Sequence, residues 1–448
     1  MASADDGVEF LRHVSETDSL NRSEGLEDLR FRYGDQWPVE IQNSRQLEAR
    51  PMLTINETDA YLRKIENQQR QQRPRMNPHP VGSKASIEVA KVLKGLCRHI
   101  EVNSDADNAY DLAFSFALTN GVGYYRLHSD FTRPDSFDQD IYIDQVENPF
   151  SVYFDPSSTL PDGSDAEQCL ITDKMKKTTF RKLFPDADDG SGFTERATGD
   201  TYSDTTWVTK DDIRLAEYMY VERVKDELLA LSDGGIVWGS EVSKHDLLTK
   251  FNIRVTGSRP SFRKTVKWQK QTQFEVLQTR DIPGMYIPVV PVYGIRVRID
   301  DKVRKFGLVR FAKDPQRMVN FWQTTFTEKI ASMPKAKWLM PEGGDEGHEN
   351  EYAQANSKNI AVLRYKTSGL DGKEIPPPQY IQPEQPPQGV MEAAFMAGEN
   401  LKRLLGVYDP QVKTDGNKSG KAIQAEKMQS EESSYNFYDN LTRSIKHG

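Results

Sequence analysis

The chain has 448 residues, a net charge of −8 and a mean hydropathy of −0.70, which predicts a polar protein with about two to four domains. The acidic charge argues against a general nucleic-acid binder, because such proteins use a basic excess to displace counterions from phosphate. Two cysteines offer neither a disulfide framework nor metal-ligand spacing and indicate a reducing compartment, and no cofactor is expected. The sequence contains no apolar run long enough to cross a membrane and no signal peptide.

Residues 5–75 predict helices with a strongly charged surface. The last of them, with Asn56 as a plausible N-cap, ends in the run NQQRQQRPR at 67–75, where Pro74 stops it. This polar run could contact phosphate, but such a run is more often a solvated face or a helix end packed in an oligomer. Residues 84–120 predict two further helices. The first of these carries an apolar stripe, and Cys97 beside that stripe is expected in the core: Val89, Val92, Leu93, Leu96 and Ile100.

From 121 to about 298 the pattern changes to short runs of β-branched and aromatic residues. It predicts an α+β fold in which helices pack on a mostly antiparallel sheet. Within this region, DPSSTLPDGSD at 155–165 fails as a calcium-binding EF-hand loop, because position six is Leu160 and position twelve is Ala166. An ordered turn is expected there. The predicted strands are 123–128, 141–146, 150–154, 214–224, 235–239, 251–255 and 285–299.

Residues 314–333 predict a long helix with Asp314 as N-cap and Pro315 in the first turn. Its apolar stripe is Met318, Trp322, Phe326, Ile330 and Met333.

A small insertion follows this helix, with strands expected at 337–340 and 359–365 around an acidic stretch at 341–356. Its end, 376–387, contains six prolines and is expected to be stiff and extended. No spacing organises the carboxylates of the acidic stretch into a catalytic or metal site, and its composition makes it an expected surface for partners.

A second helix is predicted at 388–406, and a long final helix at 422–447. Small residues on the former would allow a neighbouring helix to approach closely. Ala394, Ala397 and Leu401 share its expected packing face.

The segment QVKTDGNKSGKAIQA at 411–425 looks at first like a phosphate-binding loop. The motif G-x-x-x-x-G-K-[ST] would place its first glycine at Asp415 and its magnesium-binding hydroxyl at Ala422. A carboxylate disfavours an anion at the first position, and alanine cannot ligate magnesium at the second. The segment is therefore interpreted as a basic, glycine-punctuated loop between two helices rather than as a nucleotide site.

The order of these elements resembles the portal, or head-to-tail connector, proteins of tailed double-stranded DNA phages, and most closely those of short-tailed phages. The stretches that carry the resemblance follow each other over nearly the whole chain. They are YGDQWP (33–38), LTINETDAYLRKIENQQRQQRP (53–74), NPFSVYFDPSS (148–158), GSDAEQC (163–169), SGKAIQAEKMQ (419–429) and NFYDNLTRSIKHG (436–448).

The resemblance implies a ring-forming subunit with a mixed α+β wing domain at 1–311. A stem helix at 312–333 and a second at 388–406 would hold a small α/β clip at 334–387. A tunnel loop at 407–421 would face DNA, and the long helix at 422–448 would return to the wing. Family members continue into a helical crown or barrel, so that element is expected to be absent here or the chain to be truncated. Side chains expected in stem packing are Met318, Trp322, Phe326, Ile330, Ala394, Ala397 and Leu401.

The same resemblance implies a structural, non-enzymatic role in a ring of about twelve subunits at one capsid vertex of the virion, assembled in the host cytoplasm. Implied partners are double-stranded DNA bound without sequence specificity, terminase, a tail adaptor, and the major capsid and scaffolding proteins, with no membrane. In the tunnel loop, Lys413, Lys418 and Lys421 are the residues expected to touch phosphates. They lie in 402–421, which has five basic and two acidic residues in an acidic chain.

Two other classes remain open from the residues alone. The first is a DNA-binding protein that forms no ring, which the net charge disfavours. The second is a nucleotide or other hydrolase, which the broken phosphate-loop motif and the scattered histidines disfavour. A solvated surface loop is the alternative for the lysines, and an ordinary two-helix core is the alternative for the stem helices.

Overall fold

The computed structural model describes residues 3–80, 86–190, 207–232, 234–241, 254–332, 337–354, 362–368, 374, 376–381, 388–406 and 420–448. The chain divides into two compact units. Unit 1 comprises 1–33, 59–311 and 408–448, and unit 2 comprises 34–58 and 312–407. Within the described ranges, no helix combines the length and apolarity that a membrane span requires.

Helices and antiparallel strands alternate in blocks, which confirms the expected α+β class. The helices are α1 Ala4–Thr17, α2 Ser19–Arg32, α3 Val39–Leu47, α4 Glu57–Gln71, α5 Ile87–Asn103, α6 Ala106–Asn120, α7 Lys177–Leu183, α8 Val309–Ser332, α9 Glu349–Gln354, α10 Gln388–Leu404 and α11 Gly420–His447. The strands are β1 Val122–Phe131, β2 Gln139–Gln145, β3 Val152–Phe154, β4 Gln168–Lys176, β5 Asp212–Leu231, β6 Ile236–Trp238, β7 Val255–Gln271, β8 Val276–Ile282, β9 Val289–Tyr293, β10 Ile295–Ile299, β11 Lys302–Phe306, β12 Lys337–Leu339 and β13 Gln379–Ile381.

The main sheet of unit 1 has the order β3-β4-β5-β7-β8, with β6 paired to β5. Alternate residues of each strand enter the cores on its two faces. Tyr153 and Leu170 join a core with Phe10 of α1, whereas Phe154 and Cys169, their neighbours along the strands, join a second core. Because both faces are covered by apolar side chains, this sheet forms the stable centre of unit 1.

A second, three-stranded sheet has the order β2-β1-β9 and packs against α6. Several glycines let the backbone approach the end of α6 at distances that no side chain would permit. A Cβ atom on Gly123 would lie 2.1 Å from the Ala113 carbonyl oxygen, and one on Gly307 would lie 2.2 Å from that of Leu118. Backbone is therefore packed directly on backbone where β1 begins and where β11 leads into α8.

The last helix, α11, completes this part of unit 1 with its carboxy-terminal half. Its Phe437, Leu441 and Ile445 are buried at a spacing of four residues. Asn440 donates from Nδ2 to the carbonyl oxygens of Tyr293 and Gly294, at 3.0 and 2.9 Å, at the junction between β9 and β10. The helix is thus held both by an apolar stripe and by hydrogen bonds to the backbone between β9 and β10.

In unit 2, an insertion separates α8 from α10. β12 follows α8 and β13 precedes α10, and the two strands pair antiparallel with Lys337 opposite Ile381 and Leu339 opposite Gln379. Their pairing closes the base of the segment between them.

The structure corrects several details of the sequence interpretation. The described part of 359–365, which is 362–365, forms no strand, and the partner of β12 is β13 at 379–381, inside the segment that was expected only to be stiff. The three residues of β13 are not prolines, so their N–H groups are free to enter a ladder. Of the predicted strand 251–255, residues 251–253 lie outside the described part, and Val255 begins β7, which runs on to Gln271.

The first stem helix was expected to start near Asp314, but it begins at Val309, so Pro315 lies inside it. The apolar residues Leu308, Val309 and Ala312 are buried, and this burial extends the helix backwards past the predicted cap. The predicted core stripe of α5 is also wrong for the single chain, because Val92 is 71% exposed and Leu96 is 51% exposed. Cys97 beside it is only partly buried.

Candidate assembly surface and candidate DNA-contact loop

The buried face of α8 within unit 2 is largely polar, although it also contains Ala312 and Val319. Gln316, Asn320 and Thr324 are four residues apart and essentially inaccessible to solvent. They face the extended segment 51–58, and each of the three accepts a backbone hydrogen bond from that segment. A helix advances about 6 Å in four residues, and a strand advances about 6.6 Å in two, so the two repeats run together.

The individual bonds follow this repeat. Thr324 Oγ1 accepts from the Leu53 amide at 3.1 Å, and Asn320 Oδ1 accepts from the Ile55 amide at 2.9 Å. Gln316 Oε1 accepts from the amides of Glu57 and Thr58 at 3.1 and 3.0 Å. These last two amides open α4, so a glutamine of α8 satisfies the donors that a helix start leaves unpaired. Asn56, the predicted N-cap, directly precedes these two amides, and Gln316 is their hydrogen-bond acceptor.

Two arginines that precede this segment in the chain also hold its start in place, one through the Pro51 carbonyl oxygen and one through Glu328 of α8. Arg45 donates to the Pro51 carbonyl oxygen at 3.1 Å and lies over the Trp37 ring, with 5.6 Å between the guanidinium carbon and the ring centroid. Arg50 makes a two-bond contact with Glu328 of α8 at 2.7 and 3.2 Å. The side-chain hydrogen bond to Glu328 raises the pKa of Arg50, and the same bond lowers the pKa of the Glu328 carboxyl.

Because much of the inward face of α8 is polar, several of its large apolar residues point outward. Met318, Phe321 and Ile330 are each 42–49% exposed, and Trp322 and Phe326 are partly buried. In a water-soluble helix the usual arrangement is the reverse, with apolar residues facing the core. The outward face of α8 therefore lacks a cover within the described part of one chain.

Helix α10 buries one set of small and apolar side chains and exposes another. Ala397 and Leu401 are buried, and Ala394 is partly buried, so these predicted packing residues face the interior of unit 2. A different set points outward, and sequence periodicity did not select it: Met391, Phe395 and Met396 are more than half exposed. Leu404, which the periodicity predicted on the packing face, is also more than half exposed. Methionine and aromatic side chains are enriched where proteins make contact with each other.

The candidate DNA-contact residues are mostly not described. Lys413 and Lys418 lie outside the described residues, and Lys421 lies in the first turn of α11 with only its backbone described. Their contact with DNA remains a sequence-based prediction.

The basic run at the end of α4 is described, and its charges are neutralised within the chain. Arg73 bonds to Asp107 at 2.5 Å and to Asp111 at 2.7 Å, and Arg70 also reaches Asp111 at 3.2 Å. Burial alone would lower the pKa of Arg73, but Asp111 and Asp107 together raise it above its ordinary value. This run therefore fastens α4 to α6 within the chain, and the geometry favours this packing over phosphate contact or a solvated face.

The turn at 155–165 is ordered by its own carboxylates, as expected. Asp165 accepts from the amides of Thr159 and Leu160 and from two hydroxyl groups, of Ser158 and Thr159. Burial would raise the pKa of Asp165, but these hydrogen bonds lower it to about 2. The oxygens are occupied by internal donors, and no group of residues with the geometry of a metal site occurs within the described ranges.

A cleft of about 560 Å³ beside α1 contains the residue types of a hydrolytic site, but not the hydrogen bonds that would join them in one. It is lined in part by His13, Asp155 and Ser157. The Ser157 hydroxyl donates to Asp155 Oδ1 at 2.6 Å, and among the described residues no hydrogen bond links it to His13. An activated serine requires a hydrogen bond to its base, so this cleft does not have the arrangement of a nucleophilic site.

The comparisons with known proteins identify a family for this chain. The model of the P22-like phage portal protein family matches residues 9–448, and the chain therefore belongs to that family. A similar protein is the portal protein of Acyrthosiphon pisum secondary endosymbiont phage 1, which is 25% identical over 452 aligned residues. The alignment covers 95% of this chain and 61% of the relative, so the chain spans about three-fifths of the relative's length.

Proposed function

We propose that this chain is the structural subunit of a dodecameric portal ring at one capsid vertex, through which double-stranded DNA is packaged and ejected. The observation that carries the proposal is the family match over 9–448, combined with apolar faces on α8 and α10 that one chain leaves exposed. A ring of identical subunits covers such faces by heterologous contacts, in which one surface meets a different surface of the next copy. The role is structural and located in the virion, after assembly in the host cytoplasm.

The insertion between α8 and α10 is the proposed clip, and the β12–β13 pair at its base supports its being a separate element. In this proposal α8 and α10 form the stem, and the folded core of unit 1 forms the wing. The clip's acidic surface at 341–354 is the proposed docking site for terminase during packaging and for the tail adaptor afterwards. Capsid and scaffolding proteins would meet the wing.

Assembly is tested by imaging the purified protein by electron microscopy and measuring its mass in solution. Wild-type protein should give rings with a central hole wide enough for duplex DNA. Phe321→Asp on α8 and Phe395→Asp on α10 should each prevent ring formation, because a carboxylate on a buried contact face loses its hydration. Phe262→Asp is the matched control: this phenylalanine is 58% exposed on β7, and its replacement should leave rings intact.

The outcomes separate the competing classes. Rings that are lost only in the two stem variants support the portal assignment. A protein that stays monomeric at high concentration and binds DNA with a strong salt dependence would replace it with a non-ring DNA-binding role. Turnover of nucleotide by the purified protein, absent in a Lys421→Ala variant, would replace it with a hydrolase.

The proposed DNA contacts are tested in the assembled ring. Alanine at Lys413, Lys418 and Lys421 should slow packaging or weaken DNA retention while rings form normally, because three positive charges near phosphate are removed. Arginine at the same three positions is the matched control and should preserve packaging, since the charge is retained. Packaging that is unchanged in the alanine variant would contradict the proposed role of the loop.

A further inference from the structure

Helix α5 is exposed in a way that its sequence does not explain. All residues from Ser86 to Leu96 are exposed except Ala90, which is partly buried, although the helix is rich in apolar side chains. Val89, Val92, Leu93 and Leu96 lie along one face, and their exposed fractions range from 44 to 71%. A contiguous apolar face of this kind marks an interaction surface.

The charge around this face is positive. Lys91, Lys94 and Arg98 lie at helical spacing beside the apolar stripe, and Glu88 is the one acidic residue among the exposed positions from 86 to 98. Arg98 is engaged with Glu101 at 3.7 Å, but Lys91 and Lys94 have no ion-pair partner within the described residues. The surface therefore fits a partner that is both apolar and acidic.

Unit 1 carries a surface with the complementary properties at the tip of the β1–β2 hairpin. Phe137 is 97% exposed and Phe131 is 49% exposed. The segment 130–140 that contains them has four aspartates and a single arginine. The tip is ordered, because the Thr132 amide donates to the Asp138 carbonyl oxygen at 2.9 Å.

These two surfaces do not cover each other within one chain, since both remain exposed. Within the chain, α5 lies beside β2, and His99 Nε2 of α5 is 3.5 Å from Asp140 Oδ2 of β2. A contact in which either surface met its own counterpart on another copy would place basic against basic or acidic against acidic, and both would repel. A contact between the two unlike surfaces on successive copies attracts, and it is the head-to-tail type that a closed ring requires.

We infer that the apolar, basic face of α5 binds the apolar, acidic tip of the β1–β2 hairpin of the next copy of this chain. The inference rests on the proposed ring and adds a second, charge-matched contact outside the stem helices. It assigns Phe137 to a site against Val92 and Leu93 of the neighbour, with Lys91 and Lys94 beside the aspartates of the tip.

Cross-linking tests the contact directly. In a Cys97→Ala background, Leu93→Cys and Phe137→Cys are made as separate proteins, mixed, assembled and oxidised. The mixture should give a disulfide-linked dimer on a denaturing gel, and neither protein alone should do so. Leu93→Cys mixed with Leu183→Cys is the matched control, because Leu183 is 58% exposed on α7 and should not cross-link. Self-linking of Leu93→Cys would overturn the head-to-tail assignment.

Charge reversal gives an independent readout. Lys94→Glu and Asp135→Lys should each raise the protein concentration needed for assembly by about tenfold, and the double variant should restore it. If wild-type rings form and these variants assemble normally without cross-links, the α5 contact is wrong and the ring stands. If wild-type protein forms no ring, the proposed function fails as well. Binding of α5 to anionic lipid vesicles, abolished by Val92→Asp, would also overturn the inference.

Discussion

The two compact units differ in the side chains that their central elements bury. Unit 1 encloses large apolar residues such as Phe114, Tyr125 and Phe437, and its sheet is covered on both faces. In unit 2 the buried face of α8 combines Val319 with the polar ladder of Gln316, Asn320 and Thr324, while aromatic and methionine side chains of α8 and α10 such as Phe321 and Phe395 are exposed.

This difference shows what holds each unit together within the described residues. Burial of apolar surface stabilises a fold by about 25 cal/mol per Å², and it is the main contribution at the centre of unit 1. In unit 2 the hydrogen bonds of the polar ladder, each of which contributes only about 1 kcal/mol net, add to the burial of apolar residues such as Val319 and Leu401. The exposed apolar residues of α8 and α10 have no cover within the described part of the chain, which fits the proposed ring.

The largest expected effect tests how far unit 1 depends on close packing. Gly307→Ala should lower the free energy of unfolding by about 3 kcal/mol, because its Cβ would lie 2.2 Å from the Leu118 carbonyl oxygen and neither backbone can move easily. Chemical denaturation measures the change. Gly257→Ala on β7 is the control, since nothing lies within 4 Å of its Cβ position. Equal stability of the two variants would show that this approach is not tight.

A somewhat smaller effect is expected in unit 2. Gln316→Leu should cost about 2 kcal/mol, because the amides of Glu57 and Thr58 lose their acceptor in a buried position. Denaturation and hydrogen exchange of those two amides would report the loss. Gln323→Leu on the same helix, which is only partly buried, should change stability by less than about 0.5 kcal/mol. If both variants behave alike, the polar ladder does not hold the segment 51–58.

Acid should weaken unit 1 locally at the Asp165 turn. The folded pKa of Asp165, about 2, lies below its ordinary value of 3.8, so its stabilising contribution is present above about pH 4 and is lost as pH falls through 2. Asp165→Asn should speed hydrogen exchange of the Thr159 and Leu160 amides near neutral pH, at a cost of about 1 kcal/mol after solvent screening. The difference from wild type should shrink on acidification, whereas Asp211→Asn, an exposed control, should show none. A difference that grows towards low pH would contradict the assignment.

The smallest effect on folding should come from the outward face of unit 2. Phe395→Ser should change the unfolding free energy of the monomer by less than about 0.5 kcal/mol, because Phe395 is 63% exposed in a single chain. The same variant should shift the mass distribution away from rings at concentrations where wild type assembles. Leu401→Ser is the contrasting variant: Leu401 is buried, so that change should lower stability itself. A large loss of monomer stability in Phe395→Ser would remove the distinction between the two faces.

Much of the fold was accessible from the sequence, and the reasons are local. The 3.6-residue repeats of α8, α10 and α11 are strong, and the β-branched runs of β1, β5 and β9 are bounded by turn residues. Short elements were harder, since three residues such as those of β13 carry too little pattern to distinguish a strand from an extended linker. The start of α8 was misplaced because a proline with a preceding aspartate looks like a helix start, whereas burial of Val309 and Ala312 decides it.

The candidate site was only partly accessible for a different reason. The periodicity of α8 correctly gave an apolar stripe through Met318 and Ile330, but periodicity cannot say whether such a stripe faces the interior or a neighbouring subunit. The glutamine, asparagine and threonine four residues apart on the opposite face were a usable sign that this face meets backbone groups. The apolar stripe of α5 was misread in the same way.

By itself, the sequence determined the class of fold, most of the long helices and several of the strands, and the resemblance that the family match over 9–448 confirms. These depend on residue spacing and on turn chemistry, which act over a few positions. Only the tertiary structure decided that Arg70 and Arg73 pair with carboxylates of α6 and that 51–58 lies along α8, because these contacts join residues 34 to 271 positions apart. It alone decided which apolar faces stay uncovered, since burial is a property of the packed chain.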